Sequence, residues 1–372
     1  MKKILFVSTK SFPIIGGDTI FTAGLIYRLS MEHDLSLVTI VDNKDIFNHK
    51  IFRNIKIFPF PKLNGYFYKL LKLVMNRSLL QEYSPGIEKF LKYEKLKDYD
   101  FIIIDHLRSF SVCKYLFKKV KEKEKIIYMA HNVESKNQKE KLKFLPKERI
   151  FTLLSNNVHS LENKILEKCG SVWTLNQSDM KVLTRNHHNN NRVIKPFYPW
   201  DRVKSNKDIS IVNNELLILG SLNWYPNIQG ILHFVKDIFP EILKKNNKIK
   251  LNIVGQNPSQ EILDLESSKI NVYPNVKSVD SYIKKSDLLI IPNRYGTGSK
   301  IKLLESIMKG LPVVTYPENL IGFENLQISQ PFLVNNEQEF CESVISIIAD
   351  ASKKTNFIEK NIVLLQENKM TI

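Results

Sequence analysis

At 372 residues the chain is too long for one ordinary hydrophobic core and suits two domains. With 43% apolar and 25% charged residues it is neither disordered nor fibrous, and no apolar run approaches the roughly 18 residues of a membrane-spanning helix. The net charge of +17 sits almost wholly in residues 1–200, which carry a surplus of +16 against +1 in residues 201–372.

That asymmetry predicts a polyanionic partner at the first half: nucleic acid, an anionic membrane surface or a phosphate-bearing substrate. A general lysine bias is the competing explanation, though it would not obviously spare the second half. Cys113, Cys169 and Cys341 are far apart and odd in number, so they fit neither a disulfide framework nor a zinc site. Lys2 and Lys3 followed by an apolar run imitate a secretory leader, but the run stops at Ser8 and is too short for one. A reducing cytoplasm is the expected setting.

In chain order, residues 4–7 read as a buried strand, followed by a loop with Pro13, Gly16 and Gly17. A helical period over 21–31 and a second strand over 35–41 complete a βαβ opening. Apolar runs at 101–104 and 125–129 end in Asp105-His106 and Ala130-His131-Asn132. Both place polar groups just past a strand's C-terminal end, the ligand-binding edge of an open parallel sheet. A third run, 172–175, leads into Asn176-Gln177-Ser178-Asp179, a helix N-cap cluster.

Residues 185–209 hold His187-His188, consecutive asparagines and two prolines with little periodicity, and read as a linker. The paired histidines have no carboxylate or cysteine at ligand spacing, which favours a solvated loop over a metal site.

The same grammar restarts with a strand over 216–219 ending in Gly220-Ser221 and a helix over 228–239. Strands over 250–254, 271–273 and 288–291 follow, with a helix over 279–285 between the last two. A helix over 300–309 is stopped by Gly310 and Pro312, and the next strand follows at 312–315. From Glu337 onward one or two helices close the chain. The predicted organisation is an α/β domain over 1–198, a second over 199–336, and C-terminal helices over 337–372 that pack back on the first domain.

The segment from Pro292 to Glu305 carries the densest chemistry. Its glycines let the backbone approach a ligand, and Ser299 is placed to cap the helix whose free amides point at that ligand. Arg294, Lys300 and Lys302 add positive charge at a helix N-terminus, where the dipole disfavours it unless an anion shares the site. The Gly-Lys-Ser/Thr order of a Walker loop is absent, so a phosphate site of another kind and a merely structural turn both stand on these residues alone.

Pro292, Gly296, Gly298, Lys300, Lys302, Glu305, Gly310, Pro312, Val313 and Val314 resemble the donor-binding motif of family 4 of the retaining glycosyltransferases. Gly16-Gly17, His131-Asn132-Val133-Glu134, Leu161-Glu162, Gly220-Ser221 and Pro226-Asn227 extend that resemblance over roughly residues 1–330. It implies the GT-B fold, two doubly wound Rossmann-like domains facing across a cleft.

The resemblance further implies that Gly298, Ser299, Lys300 and Lys302 hold a donor diphosphate, approached by Gly16 and Gly17. Glu305 would bind the ribose, Gly220 and Ser221 would line the same site, and Tyr273 to Val276, including Asn275, would lie beside the base. Arg294, Gly296 and Thr297 complete the expected donor loop, and His131 would sit near the transferred sugar. His131, Lys300 and Lys302 are the expected catalytic groups. Thr297 stands where many relatives carry a glutamate, which leaves front-face transfer assisted by the donor phosphate as the implied route. No Asp-x-Asp motif stands where a donor would need it, so no metal and no separate cofactor are expected; a UDP- or GDP-linked sugar would be the substrate.

Residues 62–77 mix aromatic, apolar and basic side chains. A helix there would gather Phe67 with other apolar residues on one face, flanked by Lys69, Lys72 and Arg77, and suits either an anionic membrane surface at the inner face of the cell membrane or an ordinary core contact. A glycan or lipid-linked glycan is the expected acceptor, in bacterial surface polysaccharide synthesis. Three other readings stand beside this one: a homologue without catalysis, favoured by Thr297; a nucleotide-sugar epimerase of the same fold; and, last, a nucleic-acid binder, for which no recognition motif is present.

Overall fold

Ile4, Leu5, Phe6 and Val7 follow one another without a polar alternate and are all buried, the signature of a strand covered on both faces. They lie in β1 (Lys3–Phe12), at the centre of the first sheet in a computed structural model that describes residues 1–12, 17–41, 50–61, 84–142, 148–184, 190–195, 212–294, 301–324, 326–330 and 332–366. The chain divides into two compact units, Met1–Pro199 and Trp200–Ile372.

In the first unit β1 pairs in parallel with β2 (Asp34–Val41) and β4 (Phe101–Asp105). Outward from these run β3 (Ile55–Pro61) on one side, and β5 (Ile126–Ala130), β6 (Ser171–Thr174) and β7 (Arg192–Val193) on the other. The order β3-β2-β1-β4-β5-β6-β7 reverses direction between β1 and β4, and in open parallel sheets the strands' C-terminal ends at such a switch point are where ligands bind. Helix Gly17–Glu32 forms the first crossover, and the long helix Glu148–Lys168 precedes β6.

The second unit repeats the plan on a smaller scale. β8 (Glu215–Ser221), β9 (Lys250–Gln256), β10 (Ile270–Pro274), β11 (Leu288–Ile291) and β12 (Val313–Thr315) are ordered β10-β9-β8-β11-β12, all parallel. The switch point falls between β8 and β11. Helices Glu337–Ile348 and Ala351–Gln366 belong to this unit, where Lys354 forms a buried ion pair with Asp287 at 3.3 Å.

Several elements depart from the sequence reading. β3 carries Pro59 and Pro61, which argue against a strand; it is tolerated because it lies at the sheet edge, where a missing amide costs no ladder bond on the open side. The helix expected over 228–239 is instead Tyr225–His233, a π turn over Phe234–Ile238, and helix Phe239–Lys245. Pro240 explains the break: it has no amide to continue the ladder, and the wider turn bonds Phe239 N–H to Phe234 O. β7 lies inside the stretch read as linker. Gly310, by contrast, ends helix Ile301–Met308 as expected, with φ at +77° and its amide donating to Ile307 O at 3.0 Å.

Candidate functional site

Each unit presents polar groups at its own switch point. In the first unit they gather on Asp105, the last residue of β4, whose side chain is wholly buried. Ser8 of β1 donates to Asp105 Oδ2 at 2.8 Å and Thr22 of the first helix donates to the same oxygen at 3.3 Å. His131, just past β5, places Nε2 2.7 Å from Asp105 Oδ1. A register shift between Ser8 and Ser11 inserts Thr9 and Lys10 beside this group at the end of β1.

The His131 ring is held on three sides. Asp105 takes its Nε2, Phe21 meets it edge-on at 5.0 Å between centroids, and His106 lies flat against it at 3.4 Å with 20° between planes. His106 adopts φ 61° and ψ 152°, a region that costs a non-glycine residue about 1–3 kcal/mol. Its backbone is pinned on both sides: its N–H donates to Met129 O at 3.0 Å, and its carbonyl accepts from Ser109 N at 3.2 Å.

Burial lowers the His131 pKa below the ordinary histidine value; Asp105 pulls it back up, and Lys10 opposes that. Burial lowers His106 further, reinforced by His131, Lys10 and Arg108. Glu162 fixes the loop that follows His131. Its Oε1 accepts from Glu134 N at 2.8 Å and its Oε2 from Ser135 Oγ at 2.5 Å, capping helix Glu134–Leu142. Burial raises the Glu162 carboxyl above its usual value.

Asp105, His106 and His131 offer metal-ligand atoms that all lie within 4.8 Å of one another. The stack does not suit a shared ion. An ion sits close to the plane of each imidazole it binds, about 2.0–2.1 Å from nitrogen. Two planes inclined by only 20° and separated by 3.4 Å do not meet at that distance from both rings. The trio is a hydrogen-bonded pair with a second ring stacked on it.

Among the described residues, the switch point of the second unit is built from amides and the ammonium of Lys302. Asn293, just past β11, donates from Nδ2 to Pro226 O at 2.8 Å and to Asn227 Oδ1 at 3.0 Å. Asn319 Nδ2 donates to Asn293 O at 2.7 Å, and Asn227 Nδ2 to Ser221 O at 2.9 Å. Lys302, in the first turn of helix Ile301–Met308, directs Nζ to Leu219 O at 3.3 Å, Asn227 Oδ1 at 3.4 Å and Asn293 Oδ1 at 3.5 Å. Gly220 ends this path with φ at +156°, where a Cβ would lie 2.8 Å from Asn227 Nδ2 and 3.8 Å from Lys302 Nζ. Gly230 lets its helix approach the Asn293 backbone, which a Cβ would meet at 3.2 Å.

Of the residues singled out in the sequence, Gly220, Ser221 and Lys302 therefore converge at one sheet edge. Asn275 stands past the end of β10 with φ 55°; its amide donates to Gly255 O at 2.7 Å, and Val276 O accepts from Gln256 Nε2 at 3.1 Å. Glu305 is paired with Lys309 at 2.7 Å, and Lys309 also reaches Asp280 at 2.8 Å. Arg294 runs along the Tyr316 ring, 4.1 Å from its centroid, to Glu337 Oε1 and Asn335 O, both at 3.1 Å. Gly17 opens the first helix. Gly16, Gly296, Thr297, Gly298, Ser299, Lys300, Phe67, Lys69, Lys72, Arg77 and His187-His188 lie outside the described residues.

In the sequence Asp105 and His106 stand at a polar strand end and Asn293 lies inside the Pro292–Glu305 segment, all three without an assigned role, and nothing local marks Asn319. The signal for Asn293 was local: an amide directly after an apolar run and a proline, at the end of β11.

Residues 213–350 match the family of glycosyl transferases group 1. An uncharacterized 44.6 kDa protein in the cps region of Klebsiella pneumoniae is 24% identical over 166 residues, covering 42% of each chain. A variant of S. aureus TarM, solved with Fondaparinux, α-GlcNAc-glycerol and UDP, is similar in structure with a TM-score of 0.68 at 11% identity, over 100% of this chain and 97% of that one. Anabaena HepE, solved with UDP and glucose, gives 0.66 at 14% identity, over 99% and 95%. Burkholderia multivorans trehalose 6-phosphate synthase gives 0.60 at 11%, over 99% and 95%. The chain thus has the GT-B fold of two Rossmann-like parallel-sheet units, and its second unit carries the segment that matches the group 1 glycosyl transferases.

Proposed function

We infer that the protein transfers a sugar, with retention of configuration and without a metal, from a nucleoside diphosphate to a glycan or lipid-linked glycan. The observation that carries this reading is the Lys302 ammonium, held by three oxygens at the switch point beside Gly220 within the segment matching the group 1 family. Departure of a diphosphate leaves negative charge on its terminal oxygens. Lys302 and Lys300, with the amides of Gly298 and Ser299, would stabilise that charge in the transition state. No enzymic nucleophile is needed if the acceptor attacks from the face the diphosphate leaves.

Glu305 would meet the ribose after exchanging its Lys309 contact, Asn275 and Val276 would lie beside the base, and His131 would face the sugar. UDP is the favoured nucleotide, because the similar TarM and HepE structures contain it. A role in surface polysaccharide synthesis is supported by the Klebsiella relative in a cps region. The basic first half and the stretch from Phe67 to Arg77 support work at the inner face of an anionic membrane.

A thermal-shift screen against UDP-, GDP-, ADP- and CMP-linked sugars tests the reading. A ligand at a hundred times its dissociation constant adds about 2.7 kcal/mol of stability. Silence across the panel removes the donor site. Binding without hydrolysis or transfer favours the second reading, a homologue that holds nucleotide sugars without catalysis, to which Thr297 points.

A further inference from the structure

His131 is one of three groups on which the proposed transfer depends, and its environment contains a second histidine that this reading leaves without a task. His106 is buried, its Nε2 has no hydrogen-bond partner among the described residues, and that atom lies 3.9 Å from Asp105 Oδ2. A histidine in a conformation suited to glycine, with both backbone groups tied down, is an unfavourable arrangement that needs a compensating purpose. A need for bulk alone gives no reason to hold any side chain in a backbone region that glycine alone adopts without strain.

We propose that His106 is a positioning residue for His131: its strained backbone lays its ring flat on the His131 ring, and this stack fixes His131 so that Nε2–H donates to Asp105 and Nδ1 is left to accept a hydrogen bond from a hydroxyl of the bound sugar.

The geometry supplies each part. Asp105 has two oxygens. Oδ2 is occupied by the hydroxyls of Ser8 and Thr22, so Oδ1 is the oxygen that meets His131. A carboxylate accepts, so the His131 nitrogen facing it carries the proton and the other nitrogen becomes the acceptor. One hydrogen bond alone would leave the imidazole free to tilt about its Cβ–Cγ bond while keeping the carboxylate within reach. Phe21 blocks the edge and His106 covers the face, which removes that rotation. Fixing both tautomer and ring plane before a ligand arrives is what a group that must meet a single hydroxyl requires.

The functional half of this inference rests on the transferase reading; the positioning half does not. It is tested on the full-length protein without ligand. Histidine labelled with 15N reports which ring nitrogen carries the proton, and H131Q and H106Q assign the signals. The wild type should show His131 as a single tautomer with its proton on Nε2. His106→Gly relieves the backbone and removes the ring; His106→Phe keeps a flat ring. The expected results are loss of the single His131 tautomer in H106G and its retention in H106F, with the amide spectrum of β4 and β5 preserved in both. Should H106G fail to fold, His106→Leu, which fills the space without a flat face, gives the same contrast. The proposal is overturned if H106G or H106L keeps the wild-type His131 signals, or if the wild-type proton sits on Nδ1. Because no nucleotide sugar is present, a chain that binds none would defeat the transferase reading and leave this result standing.

Discussion

A Cβ on Gly255 would fall 1.8 Å from the carbonyl oxygen of Gly220, its partner in the β8–β9 register. The two glycines let the strand ends close on each other where the second unit forms its switch point. Backbone atoms, not a flexible side chain, occupy the space. Gly255→Ala should therefore lower stability by about 3 kcal/mol, the upper end for overpacking. Denaturant unfolding measures it, and a loss below about 1 kcal/mol would mean that the strands part easily.

Lys302 sits among carbonyl and amide oxygens at 3.3–3.5 Å, with its charge directed at the strand ends. Lys302→Met removes a charge-assisted contact worth about 1.5–3 kcal/mol, and affinity for UDP should fall about 10- to 100-fold. Calorimetric titration of UDP reads this directly. An unchanged dissociation constant would remove Lys302 from the donor site.

Asp287 and Lys354 are both buried, and Asp287 Oδ2 also accepts from Asn213 N at 3.0 Å and Glu215 N at 3.1 Å, fixing the entry to β8. Lys354→Met strands a buried carboxylate, at a cost of about 3–5 kcal/mol. Adding Asp287→Asn should recover part of that loss, because the uncompensated charge is gone. If the double variant is no more stable than K354M, the penalty lies in packing and not in charge.

Burial lowers both His106 and His131 in the folded protein, while the unfolded chain titrates near about 6.5. Below that value the unfolded chain binds protons that the folded protein refuses. Their contribution to stability is complete above pH ~6.5 and falls as the pH drops toward the lower folded values. His106 is the more strongly lowered, since Asp105 partly restores His131. His106→Phe should flatten the decline of stability below pH ~6.5 relative to the wild type, measured by unfolding at several pH values. An identical slope in both proteins would contradict this account.

The repeated order of apolar runs and helical periods was legible in the sequence and was enough to predict two parallel α/β domains. Strand 288–291, the Gly310 stop and the Asn176 cap came from short-range rules that need no partner: uninterrupted burial, a left-handed C′ residue, and a side chain accepting its own helix's amide. β3 was hidden because its prolines are tolerated only at an edge, and being an edge is a property of the sheet.

The segment from Pro292 to Glu305 also stood out in the sequence, since glycines, lysines and a helix start lie together within a dozen or so residues. The environment of His131 did not. Ser8, Phe21 and the Asp105-His106 pair come from three separate stretches, and only the parallel register of β1, β4 and β5 brings them to one ring. Local chemistry fixes the kind of each element because it acts over one turn or one strand. Which buried polar group meets which is set by sheet order and register, and these are decided by packing between residues distant in the chain.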